Sequence, residues 1–334
     1  MAKFNSKFAT AVRTALSLFA ATAICSCSNH PNSEQPVIDP VAKRTVKVTA
    51  HTPDYGDDTR VTFSPKDRNG YYTHWSGNEE FVMAEYIIDE YPDYTMKNQL
   101  VSIDDVTVKE DDRVLSFQFK LSYFPFNDKS IFQYYLLYPA SILDLYPPYD
   151  FYYEDNEKSF IAELPYNQTQ TEEGTADNEA VIMFAQSEMF DEQPEELSVH
   201  FEHIVSYGHL LLKNVGGGEK INRVKFTAAD HKLSGQFEYF WEKDEDEKYN
   251  TEDGNTNNYI TVNVSAISED NTGILNVWFA TLPTDIITEF TVSATTVDNK
   301  TYTTNVSVPA DKNFGFKAGR VSTFGIDMSG VAAE

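Results

Sequence analysis

The chain has 334 residues, with 52 acidic against 26 basic side chains and a formal net charge of -26. A charge of that sign and size repels phosphate backbones and argues against nucleic acid as a partner. Hydrophobic residues at 41% and aromatics at 14% supply ample material for a core, and at roughly 100–200 residues per domain the length implies two domains.

Lys3, Lys7 and Arg13 make a basic start, and residues 14–24 (TALSLFAATAI) form an apolar stretch ending in small residues. That is the pattern of a secretory signal peptide. The stretch is shorter than the roughly 20 apolar residues a spanning helix needs, and no later segment approaches that length. Both cysteines stand at its end, where Ile24-Cys25-Ser26-Cys27 reads as a lipobox: aliphatic, small, small, cysteine. Cys27 is the expected lipidation site, since Thr22 and Ile24 would fill the wrong positions around Cys25. An ordinary cleaved signal with two incidental cysteines is the competing reading. Cleavage before Cys27 removes residues 1–26 with three positive charges and no negative ones, leaving -29. The mature chain then has no free thiol for disulfides, metal ligation or nucleophilic catalysis. The lipid is its expected contact with the outer membrane.

Residues 27–44 carry three prolines and little apolar periodicity, as a flexible tether does. From Thr45 the pattern changes to period two: Val46, Val48 and Ala50 alternate with Lys47 and Thr49, the mark of a strand with one buried face. Similar runs follow at 61–63, 81–87, 101–108, 114–123 and 132–137, separated by turn residues such as 67–70 (DRNG). The second half repeats the theme at 197–201, 209–213, 224–226, 236–241, 259–264, 275–280, 290–296, 302–308 and 321–328. Many short strands with turn-rich joints predict an all-β fold of sandwiches and not a parallel α/β sheet. Residues 191–196 (DEQPEE) are free of apolar side chains and contain proline, so the expected domains are 45–192 and 193–334.

The constellations that catalysis needs are not recognisable. On a strand His200 and His203 point to opposite faces and cannot share a metal; His203 and His209 could share a face but lack a third ligand nearby. Residues 244–254 resemble a calcium loop superficially, but Lys248 takes a ligand position and the glycine is misplaced, which leaves a solvated acidic loop. Gly216-Gly217-Gly218 lacks the Gly-Lys-Ser/Thr ending of a phosphate cradle and is expected to be a hairpin connection. No nucleophile elbow or HExxH pair occurs. No enzyme activity, cofactor or metal is expected. Trp75, Tyr138, Phe201 and Trp278 suit the space between two sheets. Residues 145–153 (LYPPYDFYY) concentrate aromatics around two prolines: Tyr146, Tyr149, Phe151, Tyr152 and Tyr153 either form an exposed ligand loop for carbohydrate or a host molecule, or bury their rings over the sandwich edge.

A series of short motifs, in order, carries a family resemblance. Thr59-Arg60-Val61-Thr62-Phe63 is followed by Trp75-Ser76-Gly77, with Asn78 where the family usually has aspartate; then come residues 134–141 (YYLLYPAS), Ile161-Ala162-Glu163-Leu164-Pro165 with Gln168 or Gln170, and Phe184-Ala185-Gln186-Ser187. Phe201-Glu202-His203, Leu233-Ser234-Gly235-Gln236-Phe237 and residues 278–283 (WFATLP) continue the series. Behind a lipobox, this order resembles the fimbrillin-like proteins that build type V pili in Bacteroidota. The resemblance implies two tandem transthyretin-like β-sandwich domains without catalysis. It implies a pilus subunit (stalk, anchor or tip) whose partners are other subunits and a maturation protease. By the same analogy, an arginine-specific protease cuts after Arg60, in the polar loop 52–60, with Arg44 the competing site. The protein then moves to the cell surface, where subunits join by donor-strand exchange. Phe324, Ile326 and Met328 alternate with Thr323, Gly325 and Asp327, so 321–328 is the candidate donor strand. A surface lipoprotein adhesin acting through the aromatic loop is the alternative role.

Overall fold

The computed structural model describes residues 43–52, 64–66, 70–72, 75, 80–88, 95–101, 104–108, 114–122, 130–143, 151–154, 157–216, 218–251, 255–269, 273–309 and 311–334. The strands in chain order are β1 Lys43–His51, β2 Ser64–Lys66, β3 Gly70–Tyr72, β4 Phe81–Ile88, β5 Thr95–Val101, β6 Asp104–Val108, β7 Val114–Ser122 and β8 Ile131–Tyr138. They continue with β9 Phe151–Glu154, β10 Glu157–Leu164, β11 Asn167–Thr169, β12 Met183–Gln186, β13 Glu196–His203, β14 Ser206–Lys213, β15 Ile221–Thr227 and β16 Ser234–Phe240. The last are β17 Tyr249–Asn250, β18 Thr256–Asn257, β19 Tyr259–Asn263, β20 Ile274–Thr281, β21 Glu289–Thr296, β22 Thr301–Ser307 and β23 Val321–Asp327. Among the described residues, helix is confined to three short 3-10 segments, so the fold is all-β.

The largest sheet has eight strands in the order β5-β4-β8-β12-β13-β1-β7-β6. A five-stranded sheet, β17-β16-β10-β9, with β18 also paired to β16, belongs to the same half; β11-β19-β15-β21-β22 and the three-stranded β20-β14-β23 form the other. Period-two alternation explains the half-buried strands. In β13, Leu197, Val199, Phe201 and His203 are buried while the residues between them are exposed. β8 departs from it: all residues from Phe132 to Tyr138 are buried, the continuous run expected of a strand covered on both faces.

Two apolar clusters organise the described chain. One contains Val46, Val48, Trp75, Phe81, Tyr138, Phe160, Phe201, Phe237 and Trp278, among others. The second gathers around Phe226, Phe279, Phe290, Phe316 and Met328. The three-stranded sheet serves both, because β20 places Trp278 and Ala280 in the first cluster and Val277 and Phe279 in the second. Strand pairing crosses the expected division at 192/193. β13 lies between β12 and β1, and β16, β17 and β18 extend the sheet of β9 and β10. Within 191–196, Gln193 is buried and donates to Glu85 Oε1 at 2.7 Å. The expected hairpin at the triple glycine is corrected: β14 pairs with β20 and β23 while β15 pairs with β19 and β21, so 214–220 carries the chain from one sheet to the other.

Candidate functional site

β1 sits inside the eight-stranded sheet, parallel to β13 and antiparallel to β7, with Val48 opposite Leu197 on one side and Phe117 on the other. Val46, Val48 and Ala50 are buried. Full burial of the two valines is worth roughly 3–6 kcal/mol in transfer terms, to which two backbone ladders add. A space vacated by β1 would have two unpaired strand edges and an apolar floor. Arg44 lies on β1 opposite Leu121. A cut there leaves 45–51 in the sheet. Cys27, Arg60, Tyr146 and Tyr149 lie outside the described residues; Phe151, Tyr152 and Tyr153 fall on β9, the edge strand beside β10.

β23 is the edge strand of its sheet, parallel to β14, with Phe324 opposite Leu210 and Ile326 opposite Leu212. Ile326 and Met328 are buried in the second cluster and Phe324 packs against it, its ring 5.0 Å from Phe314 and 5.7 Å from Phe226. The strand's end is tied by Asp327, whose Oδ1 accepts from Asn214 Nδ2 at 2.8 Å and from the Ser329 N–H at 2.9 Å. The Asn214 bond, with the Ser329 N–H after it, holds that carboxyl below its usual range. On β14 itself, His209 stacks on Trp278 at 3.9 Å and meets Asn276 Oδ1 at 3.2 Å. Burial lowers its pKa, with the Asn276 bond opposing.

The opposite edge of the same sheet is closed by two side-chain amides whose only mark in the sequence is their place in a motif. Gln168 donates to the Ala280 carbonyl at 2.8 Å and accepts the Ala280 N–H at 2.9 Å. Gln170 accepts the Trp278 N–H at 3.0 Å and donates to the Asn276 carbonyl at 3.2 Å. Both are buried. Their amides stand in for a neighbouring strand along β20, so this edge offers no free backbone row for another chain to extend. The acidic segment after Asp244 is exposed from Asp244 to Glu247, with Lys248 paired to Glu245 at 2.9 Å. His200 is exposed and stacked on His51 at 4.6 Å, while His203 on the other face is buried.

In sequence the chain matches no family model and no curated protein. Solved structures do align with it. A candidate cell adhesion protein from Bacteroides ovatus aligns over 88% of this chain and 95% of its own, with a TM-score of 0.48 and 11% identity. A fimbrial assembly protein from Parabacteroides distasonis aligns over 85% and 91%, with a TM-score of 0.42 and 12% identity. The fimbrial anchor protein Mfa2 from Porphyromonas gingivalis aligns over 80% and 83%, with a TM-score of 0.32 and 8% identity. This chain is similar to fimbrial and adhesion proteins.

Proposed function

We propose that the protein is a structural subunit of a type V pilus, exported as a lipoprotein through Cys27, matured by arginine-specific cleavage after Arg60 and assembled by donor-strand exchange. The placement of β1 carries this reading. The first strand among the described residues is an inner strand of their largest sheet, buried through Val46, Val48 and Ala50, and the proposed cut follows it by nine residues. Cleavage there would separate lipid, tether and β1 from the rest of the fold in one step. It would leave β13 and β7 each with an open edge, which is a template for an incoming strand. The ordered motifs behind the lipobox support the same reading. N-terminal sequencing of protein recovered from surface filaments, with immunolabelling along them, tests it: the expected start is Val61, and filament-incorporated chains that still carry β1 would refute the mechanism.

A further inference from the structure

A groove of about 490 Å³ opens on the outer face of the sheet β11-β19-β15-β21-β22. Asn167, Thr169, Thr261, Asn263 and Asn222 surround Arg223, and no carboxylate is among the described residues that line it; the Asp177 carboxylate is engaged by the Thr169 N–H at 2.7 Å. Two local features build it. Pairing between β15 and β21 shifts register between Ile221 and Arg223, making Asn222 the extra residue. Consecutive residues of a regular strand face opposite ways, but this bulge brings Asn222 and Arg223 into one groove, as bulges beside binding sites do. Asn299, which also lines the groove, is delivered from the β21–β22 turn by a left-handed backbone at φ 62°.

The charges here are unlike those of the chain as a whole. In a protein with twice as many acidic as basic side chains, Arg223 is exposed and makes no ion pair among the described residues. Lys225, two residues along the same face, makes none there either, and its ammonium lies 3.9 Å from the centre of the Tyr259 ring. Tyr259 is two residues from the lining Thr261, and Tyr166, 39% exposed, meets it edge-on at 5.6 Å. Asn263 accepts the Ser265 N–H at 3.0 Å through Oδ1, which leaves its two N–H donors without a protein partner among the described residues.

We propose that this groove binds an acidic saccharide, a sugar ring bearing a carboxylate. A single guanidinium matches a single negative charge and offers paired donors to a carboxylate. The surrounding amides and hydroxyls donate and accept as ring hydroxyls require, and the exposed Tyr166 beside Tyr259 presents an apolar surface to the carbon face of an adjoining ring. A phosphate would draw several cations, and Arg223 is the single cation among the described residues that line the groove.

The purified chain is titrated by isothermal calorimetry and saturation-transfer NMR with sialyllactose, tri-galacturonic acid and neutral lactose. Binding of sialyllactose assigns the groove to host-type acidic glycans, and binding of tri-galacturonate to plant-type ones; either supports the proposal. Arg223→Gln, on an exposed strand position and checked for folding by circular dichroism, should weaken that binding about tenfold or more. Absence of binding to both acidic sugars at millimolar concentration, lactose binding as tightly as they do, or unchanged affinity in Arg223→Gln would overturn it.

Discussion

His203 ends β13 with its ring buried and Nδ1 2.8 Å from the Tyr207 hydroxyl, itself fully buried. Burial lowers its pKa from 6.5 to about 3. An unfolded chain takes up a proton on this residue near pH 6.5, whereas the folded chain does so only near pH 3. Between those values the unfolded state binds more protons, so stability falls as pH drops, with a slope approaching about 1.4 kcal/mol per pH unit. His209, lowered by its own burial, acts in the same direction. The urea midpoint should therefore be lower at pH 5 than at pH 7, and His203→Gln should remove most of that difference; an unchanged slope in the variant would exclude His203 as its source. Alternation along β13 made the opposite facing of His200 and His203 legible in the sequence, because the strand is regular there. What surrounds His203 was not, since Tyr207 reaches it from the next strand. Gly235 is a similar case. The residue was visible in a motif, but its reason lies in the chain entering β18: at φ 102° any Cβ would sit 2.0 Å from the Asn255 carbonyl oxygen.

Sheet edges decide which strands remain open to partners, and here the sequence was informative about strands and silent about pairing. Each of β13, β14 and β16 stands out by its own periodicity, yet β13 joins the sheet of β1 and β16 the sheet of β10 across more than 70 residues of chain. Hydrophobic period specifies which face of a strand is buried and leaves its neighbours to long-range packing. Gln168 and Gln170 illustrate the gap: the sequence showed them only as members of a motif, but Gln168 on the edge strand β11 and Gln170 just after it are both buried and bonded to β20. Replacing Gln168 with leucine would remove both bonds to Ala280 and leave its N–H and carbonyl without that partner. Each buried, unsatisfied group costs about 1–3 kcal/mol, so chemical denaturation should register a loss of at least about 2 kcal/mol. The double variant with Gln170→Leu should in addition self-associate, because the β20 edge becomes available. A double variant as stable and as monomeric as the parent would mean that the two amides do not guard that edge.

At the scale of the molecule, the two ends of the described chain are used alike: β1 completes one sheet by running parallel to β13, and β23 completes another by running parallel to β14, the strand that follows. Loss of β1 would divide the eight-stranded sheet into β5-β4-β8-β12-β13 and the β7-β6 pair, which makes refilling of the gap a condition for keeping the sheet whole. A β23 donated from a second copy in the β1 direction would keep the parallel pairing it already has. Its departure from its own fold uncovers Ile326, Met328 and Phe324, a cost of roughly 4–8 kcal/mol that burial in the acceptor must offset. Size limits the exchange. With Phe324, Ile326 and Met328 in the places of Val46, Val48 and Ala50, every donor side chain is larger than the one it replaces, and overpacking by a few methylenes costs about 1–3 kcal/mol. The mismatch is greatest where methionine meets the alanine site. If β23 is the donor in this register, Met328→Ala should lower monomer stability, since Met328 is buried at home, yet leave filament formation by protease-matured protein at least as efficient. Ile326→Asp should abolish it by placing a carboxylate on an apolar floor. Electron microscopy of filaments grown from each folded, matured variant separates the outcomes: normal filaments from Ile326→Asp would rule out β23 as donor. Loss of filaments from Met328→Ala alone would show that the register is shifted, with methionine filling a deeper space than the one Ala50 occupies.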